Sequence, residues 1–358
     1  MTATTLHRFS GVPFALASAA LFGASTPLAK LLLGAVDPWL LAGVLYLGAG
    51  LGLALARPWL RRLGEGGAAA AEAPLRRADL PWLAAVILFG GVLGPVLLML
   101  GLARTDAAAA ALLLNLESLA TLAIAWLVFR ENVDRRIFLG AMAILAGAAV
   151  LSWSGGGVGP SWGALLIAGA CLAWGVDNNL TRKLSAADPV QIAMLKGLVA
   201  GPVNLALALA QGASLPTTGP LFGGLLVGFL GYGASLALFI LALRHLGTAR
   251  TGAYFATAPF VGALLAVPLF GEQVTLRLLA AGALMAFGVW LHLTERHEHE
   301  HAHEPLEHEH PHLHDAHHRH AHGPDDPAGE PHTHRHRHAR LVHHHPHFPD
   351  LHHRHGHP

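Results

Sequence analysis

An apolar run from Ala111 to Glu131, ALLLNLESLATLAIAWLVFRE, carries a single carboxylate, Glu117, near its centre. About 20 apolar residues span a bilayer core as a helix. Runs of similar length and composition recur along most of the chain, so this one is a membrane helix rather than the buried helix of a soluble protein. A carboxylate at mid-span costs about 2.5 to 3.5 kcal/mol on insertion scales. Glu117 is therefore expected to face the bundle interior and to have a role there, the structural alternative being a protonated acid bonded to a neighbouring helix.

Composition supports the same class. Residues are 53 % hydrophobic and 13 % charged, against roughly 25 % charged in soluble domains. The one cysteine, Cys171, lies in an apolar run. It allows neither an intramolecular disulfide nor a cysteine metal site and is expected to pack.

Ten spans are predicted. The first, Val12 to Leu33, follows His7 and Arg8; Ala17-Ser18-Ala19 resembles a leader cleavage site, but the apolar run continues past it, so the span is expected to remain. The next four are Pro38 to Ala56, Pro81 to Ala103, Asp106 to Phe129 and Ile137 to Trp153. A glycine-rich hinge, Gly155 to Gly159, precedes Ser161 to Thr181, Pro189 to Gln211, Leu221 to Leu243, Thr248 to Phe270 and Thr275 to Thr294. An even number of spans puts both termini on one side. That side collects Arg8, Arg57, Arg61, Arg62, Arg76, Arg77, Arg130, Arg135, Arg136, Arg182, Lys183, Arg244, Arg250 and Arg296, whereas the other has little beyond Lys30, Arg104 and Arg277. The positive-inside rule makes the terminal side cytoplasmic.

The halves resemble each other. Phe22-Gly23-Ala24-Ser25 aligns with Trp174-Gly175-Val176-Asp177, and each is followed by a cation (Lys30, Arg182) and an Asp-Pro pair (Asp37-Pro38, Asp188-Pro189). Phe129-Arg130-Glu131 likewise aligns with Phe270-Gly271-Glu272. Five spans is an odd number, so the second half enters the membrane inverted. Inverted repeats are typical of alternating-access transporters with a substrate site near the midplane. The fold class is thus all-α integral membrane, ten helices as an inverted 5+5 repeat, with a disordered C-terminal tail. The expected divisions are 1–156 for the first repeat, 157–294 for the second and 295–358 for the tail.

Leu21 to Pro27 (LFGASTP), Leu114 to Ser118 (LNLES) and Phe129 to Glu131 (FRE), in a five-plus-five arrangement, resemble EamA-type members of the drug/metabolite transporter superfamily. The resemblance covers Gly11 to about Thr294. It implies a ten-helix alternating-access carrier, commonly an exporter of small metabolites, with a cavity between the halves, and it brings no substrate with it. Ala258-Pro259 stands where the first half has Glu117-Ser118. If that position lines the cavity, only the first half supplies a carboxylate there.

Glu117 and Asp177 are the acidic side chains well inside predicted spans, and Asp177-Asn178-Asn179 makes three consecutive polar residues. Successive helical residues turn by about 100°, so three in a row reach into more than one environment and imply a nearby cavity. Candidate substrate or coupling residues are Glu117, Asp177, Asn178 and Asn115, with Asn204 weaker. Lys196 either snorkels or pairs with a carboxylate. Gly48/Gly52, Gly90/Gly94 and Gly197/Gly201 permit close helix packing.

From Glu295 onward the chain holds 24 of its 27 histidines, interleaved with Glu, Pro and Arg. It shows no apolar periodicity and is expected to be disordered. HExxH spacings occur at His297, His299 and His308, but three matches in one repetitive run are generated by composition, and an enzymatic role is not expected. Neutral imidazoles suit Zn, Ni, Co and Cu. His297, His299, His301, His303, His308, His310, His312 and His314 are the candidate ligands for divalent metal ions.

The leading expectation is a multi-pass transporter of a bacterial inner membrane, both termini cytoplasmic, moving a small metabolite or drug-like solute. It needs no cofactor, and its partners are the lipid bilayer and a small-molecule substrate, with divalent metal ions on the tail and no nucleic acid. The alternatives are a divalent-metal (Zn, Ni, Co) transporter loaded by its tail, and a non-transporting, membrane-anchored metal buffer or sensor.

Overall fold

The computed structural model describes residues 11–64, 77–129, 135–153, 160–181, 189–246 and 248–294, together with four short segments of the tail. Ten helical spans appear in order among the described residues: Val12–Leu32, Pro38–Gly64, Leu80–Leu102, Ala107–Leu113 with Leu116–Phe129, Arg135–Ser152, Trp162–Thr181, Pro189–Ala210, Thr218–Gly228 continuing to Leu246, Thr248–Phe255 with Ala258–Phe270, and Leu276–Leu293. Eight are long and apolar enough to cross a bilayer. The sixth misses that threshold while carrying Asp177, Asn178 and Asn179, and the ninth consists of two short helices, Thr248–Phe255 and Ala258–Phe270.

Four spans depart from the uninterrupted helices expected. The third contains a π-helical turn, Ile87–Leu93, and the eighth another, Phe229–Ala234. The fourth is interrupted at Leu114 and Asn115, the ninth at Ala256 and Thr257. An alignment that sets Glu131 on Glu272 also sets Ile87 one residue before Phe229, and Asn115 on Ala256. The irregularities therefore recur at matching positions of the two halves. Backbone groups freed at the breaks are satisfied locally, as they must be at membrane depth. Asn115 Nδ2 donates to the Leu112 carbonyl at 2.8 Å, Ser118 Oγ to the Asn115 carbonyl at 2.8 Å, and Thr257 Oγ1 to the Tyr254 carbonyl at 2.6 Å.

Close glycine contacts fix how matching spans cross. A Cβ on Gly140 of the fifth span would lie 2.8 Å from the carbonyl oxygen of Gly288 in the tenth, and one on Gly147 would lie 2.9 Å from that of Ala281. The contact order reverses along the two helices, so they run antiparallel. The same alignment pairs Gly147 with Gly288 and Gly140 with Ala281, so each contact maps onto the other under a two-fold operation. Gly50 meets Gly197, and Gly201 meets Leu47, in the same reversed manner between the second and seventh spans. Corresponding helices of an inverted repeat must run in opposite directions, and these do.

The buried core joins Leu40, Leu41 and Leu45 of the second span to Leu98, Met99 and Leu102 of the third, with Leu113, Ile167, Cys171 and Trp174 around them. Cys171 packs as expected. Large apolar side chains outside this core are exposed, Leu127, Val128, Leu264 and Leu276 among them, which is the surface a lipid environment requires.

The tail falls outside the compact unit that holds the helical spans. Its described residues are strands β1 (Glu298–His303), β2 (Glu307–His312), β3 (His332–Arg337) and β4 (Leu341–Pro346), with β1 paired antiparallel to β4 and β2 to β3. These four segments depart from a wholly irregular tail. Alternating His-x-His sequence suits an extended backbone, but two-stranded ribbons are at best marginally stable alone. His297 and His314 lie outside the described residues, as do Glu131, Arg182 and the Gly155–Gly159 hinge.

Candidate functional site

The three consecutive polar residues of the sixth span find three different sets of partners. Asp177 points at the third and seventh spans. It is buried, its Oδ2 receives a hydrogen bond from Lys196 Nζ at 2.6 Å, and its Oδ1 accepts from Thr181 Oγ1 at 3.3 Å. This ion pair resolves the alternatives for Lys196 in favour of pairing. Gly90 sits directly against the Asp177 carboxylate, where a side chain would collide with it.

Asn178 turns to the fourth span instead. Its Nδ2 donates to Glu117 Oε1 at 3.0 Å and to Thr121 Oγ1 at 3.2 Å. Asn179 is buried and donates to the backbone carbonyls of Thr121 at 3.1 Å and Gly175 at 2.8 Å. The residues read as one polar surface thus divide by depth. Asn178 is exposed and Glu117 half-buried, whereas Asp177 and Asn115 are covered. Glu117 lies in the first turn of Leu116–Phe129, where a helix N-terminus favours a carboxylate.

The π turn of the third span is the scaffold behind this cluster. Tyr46 Oη donates to the Gly90 carbonyl at 2.6 Å and Trp174 Nε1 to the same oxygen at 3.1 Å, while Asn204 Nδ2 reaches the Gly91 carbonyl at 2.9 Å. Asn204 therefore ties the seventh span to the third, whereas the Asn115 side chain caps the break in its own span.

An unbroken chain of rings continues from Tyr46. Tyr46 and Tyr232 are 5.7 Å apart, Tyr232 and Phe22 5.9 Å, Phe22 and Phe255 5.3 Å, and Phe255 and Phe239 5.0 Å between centroids. These residues come from the first, second, eighth and ninth spans. Sequence reasoning did not single them out. One signal was available: membrane tyrosines concentrate at the interfaces, yet Tyr46 and Tyr232 stand well inside their spans.

At one end of the bundle the fourth and ninth spans are joined. The first helix of the fourth span, Ala107–Leu113, packs against Ala258–Phe270 of the ninth and against the first span. Glu272 fastens this contact, its Oε1 accepting from the Ala107 N–H at 2.6 Å and its Oε2 from the Ala108 N–H at 3.0 Å. Beside it Lys30 Nζ donates to the carbonyls of Leu102 at 2.8 Å and Thr105 at 2.5 Å. This end lies opposite the ends of the first and tenth spans nearest the termini. Among the described residues, Leu116–Phe129 and Thr248–Phe255 make no comparable contact at the other end. No group of three or more His, Cys, Asp or Glu placed to hold a metal ion occurs among the described residues.

A helical membrane protein with a carboxylate at the break of a discontinuous span, and with matching breaks in its second half, has the architecture of a membrane solute carrier. The EamA-like transporter family matches the chain twice, over residues 9–153 and 161–294, and the chain belongs to that family. It is 30 % identical over 288 residues to an uncharacterized transporter of Methanothermobacter thermautotrophicus, covering 75 % of this chain and 82 % of that protein. It is 31 % identical over 194 residues to an uncharacterized protein of Pseudomonas aeruginosa, covering 54 % of this chain and 67 % of the relative. A solved crystal structure shares the fold, with a TM-score of 0.57 at 22 % identity, covering 79 % of this chain and 98 % of that one.

Proposed function

We propose that the protein is a secondary carrier exporting a small metabolite or drug-like solute across a bacterial inner membrane by alternating access, with both termini cytoplasmic. Residues 1–156 and 157–294 are the two repeats that rock about the site, and 295–358 is an appended tail. The observation that carries this reading is the half-buried Glu117 at the break of the fourth span, bridged to the exposed Asn178 of the sixth. A polar pair at mid-membrane depth is costly against lipid but favourable on the wall of a water-accessible cavity. Broken helices gather at such sites because irregular backbone is tolerated there.

In this reading Glu117 binds substrate or carries the coupling proton, and Asn178 orients it. Asp177 and Lys196 form the support beneath, and Asn115 shapes the break. In this reading Glu272 holds shut the end opposite the termini. Uptake into proteoliposomes, over a panel of solutes and of Zn, Ni and Co ions, tests the proposal with full-length protein, protein truncated at Glu295, and Glu117→Gln. Solute transport abolished by Glu117→Gln and retained on truncation is expected. Metal transport lost on truncation would favour a metal carrier, and no transport of any class would leave the membrane-anchored buffer or sensor.

A further inference from the structure

Lys30, Arg104 and Arg277, the cations that the sequence places on the side opposite the termini, differ in what they hold. Lys30 donates to the carbonyls of Leu102 and Thr105, and Arg277 to those of Val150, Leu151 and Trp153, so both cap helix ends. Arg104 commits only Nη1, to the Leu100 carbonyl at 2.8 Å. It is exposed and lines a cavity of about 550 Å³, within the size range of small-ligand pockets.

This cavity is built where the second, third and seventh spans meet the membrane surface. Asp37 and Trp39 stand at the start of Pro38–Gly64, Arg104 follows Leu80–Leu102, and Gln211 and Ala213 follow Pro189–Ala210. Gly212 takes the left-handed conformation, φ 86°, that ends the seventh span, and the Ala213 N–H returns to the Ala208 carbonyl at 3.0 Å, which seats Ala213 on the cavity wall. The fourth and ninth spans, joined by Glu272, contribute no lining residue.

The polar groups of the wall are of both signs. Asp37 Oδ1 accepts from the N–H groups of Trp39 at 2.9 Å and Leu40 at 3.2 Å, and Gln211 Nε2 donates to the Leu207 carbonyl at 3.1 Å. Among the described residues Asp37 Oδ2 and Gln211 Oε1 have no donor, and Asp37 and Arg104 line one cavity without forming an ion pair. A wall with an unpaired guanidinium and an unpaired carboxylate complements a ligand that carries both charges. An arginine fork suits a phosphate, and carboxylate and amide oxygens suit an ammonium. The level is that of lipid headgroups: Trp39 is an interfacial anchor, and the exposed Leu207 and Leu209, within one turn of Gln211, continue the surface into hydrocarbon.

We propose that this cavity binds the headgroup of a zwitterionic phospholipid from the leaflet opposite the termini, Arg104 donating to its phosphate and Asp37 and Gln211 accepting from its primary ammonium. Such a headgroup neutralises both side chains, whereas an anionic headgroup neutralises Arg104 alone. The inference is independent of the carrier reading.

Full-length protein, stripped of lipid in detergent, is titrated with phosphatidylethanolamine, phosphatidylglycerol and the water-soluble O-phosphoethanolamine. Native mass spectrometry counts the bound copies, and the melting temperature gives a second readout, since a ligand of the folded state raises it. The ethanolamine lipid is expected to bind about fivefold more tightly than the glycerol lipid. Arg104→Gln should weaken both lipids about tenfold, and Arg104→Lys, which keeps the charge but not the fork, should recover part of the loss. Asp37→Asn keeps an oxygen for the Trp39 and Leu40 N–H groups. It should weaken the ethanolamine lipid about fivefold and leave the glycerol lipid unchanged, a shift in selectivity that misfolding does not produce. Equal binding of the two lipids by the unaltered protein, or unchanged affinities in Arg104→Gln and Asp37→Asn, would overturn the proposal. Binding of O-phosphoethanolamine as tight as that of the lipid would overturn the lipid assignment in favour of a free zwitterion.

Discussion

At the residue scale the ion pair between Asp177 and Lys196 is covered inside the bundle. Its side chains are 7 % and 17 % exposed, so each charge depends on the other. Removing one partner of a buried pair strands the other and costs about 3–5 kcal/mol, whereas replacing both is far milder. Lys196→Met is thus expected to lower the melting temperature in detergent sharply, and Asp177→Asn combined with Lys196→Met to recover much of the loss. Additive losses in the double variant would contradict direct pairing. Gly90 lies against the same carboxylate, so Gly90→Ala should drive Asp177 away from Lys196 and destabilise by about 1–3 kcal/mol through overpacking. A melting temperature equal to that of the unaltered protein would show that the turn relaxes freely.

At the element scale the latch between the fourth and ninth spans offers a direct test of alternating access. Glu272 caps two N–H groups of Ala107–Leu113 from outside the end of Ala258–Phe270, so its carboxylate is shared by helices that must separate when that end opens. Loss of a helix cap costs about 1 kcal/mol, roughly a fivefold change in population. Glu272→Ala is expected to raise the rate at which Ala108→Cys is alkylated by a membrane-impermeant reagent from the side opposite the termini. The background is Cys171→Ala, which removes the native buried thiol. An unchanged labelling rate would mean that the cap holds a helix end rather than a gate.

At the scale of the whole molecule the tail stands apart as a chemical element. Its 24 histidines surrounded by acids offer ligands only while unprotonated. We propose that it is a metal-responsive cytoplasmic appendage, outside the transport path. Calorimetry on full-length protein should show Zn, Ni, Co or Cu binding near neutral pH, lost below about pH 6 as the imidazoles protonate, and absent from protein truncated at Glu295. The truncated protein should keep its monodispersity and melting temperature. Failure to bind at neutral pH would end the metal proposal.

The amino-acid sequence by itself determined the class, the ten spans, the doubling of the halves and the presence of the polar Glu117 and Asn178 inside those spans. All four follow from local rules: bilayer thickness sets the length of an apolar run, and a polar residue inside one must answer to a neighbour. Even Asp177-Asn178-Asn179 announced several environments through helical rotation alone. Tertiary structure decided which environment each obtained, sending Asp177 beneath Gly90 to Lys196 and leaving Asn178 to bridge Glu117. It also introduced the π turn of the third span, whose Gly90 and Gly91 carbonyls are reached by Tyr46, Trp174 and Asn204 from distant spans. The chain of rings was hidden for the same reason. Phe22, Tyr46, Tyr232, Phe239 and Phe255 are separated along the chain and ordinary in apolar helices, and only the crossing of four spans brings their rings into contact.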